Sequence, residues 1–134
     1  MGKSHTARAK KICPLGFVIE DATLIFSQHI SIEENVIIWS GARLICASMP
    51  PYLSASGRIT VGANSIVREG AILQTYGGHI SIGQSSTINP FCMIQGNGGV
   101  SIGNNTLIAS HVSIYSANHS FSERERPIRT QGDT

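Results

Sequence analysis

The feature that most constrains this chain is a phrase that recurs four times: QHISIEENV at 28–36, GRITVGANS at 57–65, GHISIGQSS at 78–86 and GGVSIGNNT at 98–106. Self-similarity on this scale marks a solenoid, in which each repeat buries its apolar face against its neighbours. Aliphatic residues fall every six positions in and between the phrases: Ile32, Ile38, Leu44; Val61, Val67, Leu73; Ile82, Ile88, Ile94; Ile102, Ile108, Ile114. Six residues suit neither the 3.6-residue turn of an α-helix nor a long alternating strand, but they suit a short strand plus a corner. Three such units close a triangular coil, and each ladder residue stacks on its counterpart about 4.8 Å along the axis.

The spacing predicts an all-β parallel β-helix of about five coils with protruding loops. The ladder is firm from Ile32 to Ile114 and extends more loosely back to Ile12. Small residues two places before the ladder positions (Ser65, Ala71, Ser86, Cys92, Thr106, Val112) fit a narrow interior. Gly62, Gly83 and Gly103 directly follow a ladder residue, where glycine is expected to supply unusual backbone angles at a corner. Coil lengths differ: 29 residues separate Ile32 from Val61, 21 separate Val61 from Ile82, and 20 separate Ile82 from Ile102. The excess must leave the wall as loops. The largest lies at SMPPYLSASG, where Pro50 and Pro51 forbid ladder pairing, and smaller ones fall at TYGGH and QGNGG. A β-sandwich would also be rich in isoleucine and turns, but sandwiches do not hold an eighteen-residue register through several copies.

Composition agrees and excludes some functions. Aromatic residues are 6% and charged residues 13% of the chain, so the core is aliphatic and the walls are weakly charged. Much of the basic excess sits in residues 1–11, a short tail with Lys3, Arg8, Lys10 and Lys11 and no acid. From 37 to 116 the only charges are Arg43, Arg58, Arg68 and Glu69, which offers nucleic acid no basic face. The longest apolar runs, such as NVIIW at 35–39, cannot span a bilayer, and no hydrophobic signal core follows the basic start. A cytoplasmic protein without a membrane span is expected. Cys13, Cys46 and Cys92 are odd in number and lack metal-ligand spacing, so they read as small apolar residues and no metal site is expected. The organisation is thus a tail at 1–11, a β-helix at 12–116, and a protruding loop and end at 117–134.

The hexapeptide pattern of an aliphatic residue, a glycine or small acid, two free positions and a small residue resembles that of the left-handed β-helix acyltransferases. Handedness rests on this resemblance, because parallel crossovers are otherwise right-handed. The match is closest over INPFCMIQGNGGVSIGNNTLIASHVSIYSANHSFSERERPIRTQG at 88–132, about a third of the chain, which resembles the maltose, galactoside and polysaccharide O-acetyltransferases. The resemblance implies an acetyl-CoA-dependent O-acetyltransferase, a homotrimer, whose acceptor is a sugar or polysaccharide hydroxyl. His119, in SANHSF, stands at the position of the family's general base; otherwise it is a polar loop residue beside Asn118 and Ser120. An alcohol attacks a thioester poorly unless its proton is removed, and a neutral imidazole near pH 7 can take it.

The same stretch places Asn89 where the family has a substrate-contacting asparagine and Asn97 where it often carries an acid, so Asn97 is a departure. Both serve equally well as corner residues, since asparagine tolerates left-handed backbone angles. The loop FSERERPIRTQG is a solvated excursion that, by resemblance, helps wall the acceptor site; Arg124, Arg126 and Arg129 could meet an anionic sugar or a CoA phosphate.

His29 and His79 precede two copies of the repeat and read as corner residues, while His111 lies in a wall segment. Several histidines in a β-helix raise a zinc hydratase of the γ-carbonic-anhydrase type, whose wall segment holds two ligands five apart. Five residues after His111 stands Ser116, which argues against it. The resembled enzymes wind two or more further coils after this loop, and those coils supply much of the CoA groove. The ladder does not resume after 116, so an enzyme with an incomplete groove, an inactive fragment of one, or a non-catalytic scaffold are all open from sequence.

Overall fold

The structure, a computed structural model, describes residues 9–12, 16–48 and 53–133. Its strands are β1 (Ala9–Ile12), β2 (Gly16–Ile19), β3 (Thr23–Ile25), β4 (Ile30–Ile32), β5 (Ile37–Ile38), β6 (Arg43–Ile45), β7 (Arg58–Val61), β8 (Ile66–Val67), β9 (Ile72–Gln74), β10 (His79–Ile82), β11 (Thr87–Ile88), β12 (Met93–Gln95), β13 (Val100–Ile102), β14 (Leu107–Ile108) and β15 (Ser113–Tyr115). They stack into three sheets: β1-β2-β5-β8-β11-β14, then β3-β6-β9-β12-β15, then β4-β7-β10-β13. Among the described residues every strand-to-strand pairing within these sheets is parallel except β1 with β2. The chain is a parallel β-solenoid of about five turns. Among the described residues no helix is long and apolar enough to cross a membrane.

The registers reproduce the six-residue ladder. Val18, Ile38, Val67, Ile88 and Ile108 align in the first sheet; Leu24, Leu44, Leu73, Ile94 and Ile114 in the second; Ile32, Val61, Ile82 and Ile102 in the third. The central rungs are buried, whereas Ile108 and Ile114 of the last coil are only partly so. Two positions before each rung also points inward, as a period of two requires. In the first two sheets these positions hold the expected small residues, and Ser65, Ala71, Ser86 and Cys92 are buried. In the third they are large, with Ile59, Ile80 and Val100 buried there. One wall thus supplies two layers of bulky side chains, and the small residues of the other walls leave room for them.

Three expectations change in detail. Ile12 pairs antiparallel with Gly16, so it lies outside the parallel ladder, which begins instead at Val18. Residues 9–11 of the segment read as a tail belong to β1; residues 1–8, with Lys3 and Arg8, lie outside the described residues, as do Cys13, Pro50 and Pro51. Nor do Gly62, Gly83 and Gly103 supply the left-handed angles. Those fall two residues later, at Asn35, Asn64, Ser85 and Asn105 at one corner and at Gly41, Gly70, Phe91 and His111 at the next. What Gly62 and Gly83 supply is closeness: a Cβ on Gly62 would lie 2.6 Å from the Gly83 carbonyl carbon, and one on Gly83 2.7 Å from that of Gly103.

The buried serines explain themselves by their partners. The Ser65 hydroxyl donates to the Gly83 carbonyl at 2.6 Å and accepts from the Ser86 amide at 3.0 Å. Ser86 does the same one coil on, with the Gly103 carbonyl at 2.7 Å and the Thr106 amide at 3.0 Å. Each hydroxyl satisfies two backbone groups where the corner interrupts the strand ladder, so no buried polar group there goes unpaired.

Candidate functional site

The extra residues of the longer coils all leave at one corner, between the second sheet and the third. After the 3-10 turn Ser27–His29 between β3 and β4, the largest excursion is closed by an antiparallel bridge of Ala47 with Ala55. The next two are the turns around Tyr76–Gly77 and Asn97–Gly98, and the last is the segment after β15. Gly78 and Gly98 allow these turns to stack, because a Cβ on Gly78 would lie 1.8 Å from the Gly96 carbonyl oxygen and one on Gly98 2.0 Å from that of Ser116.

Along this corner lies a cavity of about 500 Å³, lined by Tyr76, Gln95, Asn97, Tyr115, Ala117, Asn118, His119 and Asp133. The second sheet builds one side. Gln95 and Tyr115 are register partners directly after the rungs Ile94 and Ile114, so they point outward where the rungs point in. Asn97 stands on the turn after β12, which is pinned to the last coil by the Gly98 amide donating to Ser116 Oγ at 2.9 Å and by that hydroxyl donating to the Gln95 carbonyl at 2.7 Å.

The loop supplies the other side. His119 and Asp133 form an isolated antiparallel bridge, and the Ser120 amide donates to the Gly132 carbonyl at 2.8 Å, which closes residues 121–132 at their foot. Inside the loop Arg126 makes a two-pronged ion pair with Glu123, 3.1 Å to each oxygen, and also donates to the Thr130 carbonyl. The Gln131 carboxamide bonds the backbone of Glu123 and Arg126. Alternating charge here is an internal clasp. Arg124, Arg126 and Arg129 are all exposed, and Arg126 is committed to this clasp.

His119 and Asn97, both singled out from sequence, meet at this cavity through Asp133. His119 Nδ1 lies 3.0 Å from Asp133 Oδ1, and Asn97 Nδ2 donates to Asp133 Oδ2 at 3.1 Å. The imidazole is 69% exposed, and the carboxylate, at 27%, is the more sheltered partner. Asn97 Oδ1 is buried and has no hydrogen-bond partner among the described residues.

Asn89 is placed elsewhere. It follows β11 at a different corner, and its side-chain amide donates to the Ile108 carbonyl at 2.7 Å, joining two coils. The other described histidines, His29, His79 and His111, also lie apart from the cavity lining: His29 Nδ1 contacts the Gly57 carbonyl at 2.8 Å, and His111, in the left-handed region, stacks on Phe91 with ring centres 5.4 Å apart. Among the described residues no three His, Cys, Asp or Glu side chains are grouped to hold a metal ion. Cys46 is fully buried, and burial pushes its thiol up despite a backbone hydrogen bond at Ile59, the charge of Arg58 and the hydroxyl of Thr75. Held as the thiol, it is no nucleophile.

Asp133 is the residue that sequence reasoning missed. It pairs with His119 across fourteen positions of non-repeating loop, and no periodicity points to it. Tyr115 and Gln95 had a usable signal, since both directly follow a rung of the second wall. No family model matches the chain, and no curated protein matches it in sequence. Fold and geometry together define a parallel β-solenoid with a cavity at the foot of a clasped loop, where an exposed imidazole stands against a carboxylate.

Proposed function

We propose that this chain is a hexapeptide-repeat acyltransferase with a left-handed coil, using acetyl-CoA to acetylate a hydroxyl of a sugar or polysaccharide precursor, with His119 as the general base. The observation that carries this reading is the exposed His119 imidazole on the wall of the cavity, at the foot of the loop that the sequence resemblance sets beside the acceptor. In the reaction the acceptor oxygen attacks the thioester carbonyl carbon while its proton passes to His119. The C–S bond then breaks, and the departing thiol takes that proton back. No enzyme-bound acyl group is needed, in keeping with the buried, protonated Cys46.

The lining suits such an acceptor. Tyr76, Gln95, Tyr115 and Asn118 bring hydroxyl and carboxamide groups of the kind that match a sugar's hydroxyls. A homotrimer belongs to the same proposal. Its support is the outer face of the first sheet, where Phe17, Ile37, Ile66 and Leu107 share a column broken only by Thr87, and Phe17 and Leu107 are exposed.

The test is release of free CoA from acetyl-CoA by the full chain across a panel of sugars and oligosaccharides. His119→Ala is expected to lower kcat by roughly 10²–10⁴-fold, the usual contribution of a general base, with circular dichroism unchanged. Turnover unaffected by that substitution removes His119 from the chemistry. Absence of both turnover and CoA binding in the native chain favours the non-catalytic scaffold.

A further inference from the structure

We infer that Asp133 is the positioning residue of the site: it fixes the tautomer of His119, and Asn97 holds Asp133 in place to do so. The inference rests on the reading of His119 as a base and adds two residues with assigned roles to it.

The geometry begins with the loop. Its internal bonds, Arg126 to Glu123 and Gln131 to the backbone on either side, make residues 121–131 a clasp that returns the chain beside its point of departure. The return is antiparallel, so the side chains of His119 and Asp133 emerge as bridge partners. The carboxylate then has both oxygens engaged, Oδ1 on the imidazole at 3.0 Å and Oδ2 on the Asn97 carboxamide at 3.1 Å. A carboxylate held at both ends cannot swing away from the ring. Asn97 is well placed to hold it, because its turn is tied to the last coil through Ser116 rather than to the loop.

The chemical consequence follows from what each group can donate. An ionised carboxylate only accepts, so the nitrogen facing it must carry a proton. A neutral imidazole has one such proton. With it on Nδ1, the Nε2 lone pair is left free to take a proton from an acceptor hydroxyl, and the imidazolium that forms is stabilised by the adjacent negative charge. The site therefore has its acid at 133. Asn97 supplies the donor that a carboxylate at 133 requires. An acid at 97 would repel Asp133, and the asparagine is the residue that fits.

The experiment reads the tautomer directly. Imidazole ¹⁵N shifts of the full chain, at a pH where His119 is neutral, are expected to show Nδ1 protonated in the native protein and mainly Nε2 protonated in Asp133→Ala. Asp133→Asn serves as a second variant that keeps the side-chain shape. Asn97→Ala leaves the carboxylate present but unclamped, and is expected to give a mixture of tautomers. In turnover, Asp133→Asn is expected to lower kcat by about 10²–10⁴-fold with KM within about threefold, the signature of a wrong tautomer in an intact site. Asp133→Glu should recover part of that loss. Native-like tautomer populations in Asp133→Ala and Asp133→Asn would overturn the inference. A tautomer that changes in a chain showing no acetyl-CoA turnover even when native would sustain the pairing and remove the proposed reaction, so the two failures are distinguishable.

Discussion

Gly83 and Gly103 occupy the same place in successive coils, yet their surroundings differ. A Cβ on Gly83 would meet Asn104 Oδ1 at 2.4 Å and the Gly103 carbonyl carbon at 2.7 Å, whereas on Gly103 the nearest atom is Thr106 Oγ1 at 3.8 Å. Neither has a left-handed backbone, so the comparison isolates closeness from conformation. Gly83→Ala is expected to cost about 2–3 kcal/mol, in the range of overpacking a tight site. Gly103→Ala should be neutral or stabilising by up to about 1 kcal/mol, because it restricts the unfolded chain without a clash. Urea melts of the two variants check this, and equal losses would refute it. Sequence drew attention to these glycines but not to the reason for them. A motif reports that a side chain is absent, while the neighbour that forbids one belongs to another coil. Asn89 was opaque for the same cause, its partner Ile108 being one coil away.

At the scale of the strand, register was legible because every rung obeys one rule, apolar and inward once in six. The twelve rungs read from Ile32 to Ile114 are those that the pairing aligns. The third wall's second layer, Ile59, Ile80 and Val100, escaped because the rule says nothing of how three walls share volume. The corner after the second sheet carries its own test in Cys46, two residues past the rung Leu44. Burial raises this thiol above its ordinary value of 9.0, more than the Ile59, Arg58 and Thr75 interactions lower it. The folded state thus binds the proton more tightly than the unfolded one. The resulting stability is complete below the ordinary thiol value and is lost as pH rises through the folded value. Cys46→Ala should therefore lose less stability than the native chain between pH 7 and an alkaline pH above that value. Parallel losses in thermal melts at the two pH values would show that the thiol does not contribute.

For the whole molecule, the arrangement sets three unlike walls around one core. The outer columns of the third wall are polar, with Ser31, Thr60, Ser81 and Ser101 in register, while the first wall presents Phe17, Ile37, Ile66 and Leu107. Such a difference between faces suits burial of one wall against other copies, arranged about a symmetry axis. Light scattering is expected to give three times the mass of one chain, and Ile66→Asp, placed mid-column, is expected to lower it. A native mass equal to one chain would exclude the trimer. The gathering of every excursion at a single corner also bears on how such a protein can change over time. A residue inserted between Val61 and Val67 would fall in a corner where the Gly62 and Gly83 backbones already lie too close for a side chain. One inserted beside Tyr76 or Asn97 would lengthen a turn and leave the phase intact. Drift in length is thereby channelled to the edge that holds the cavity, and the same edge is where a grafted peptide would be best tolerated.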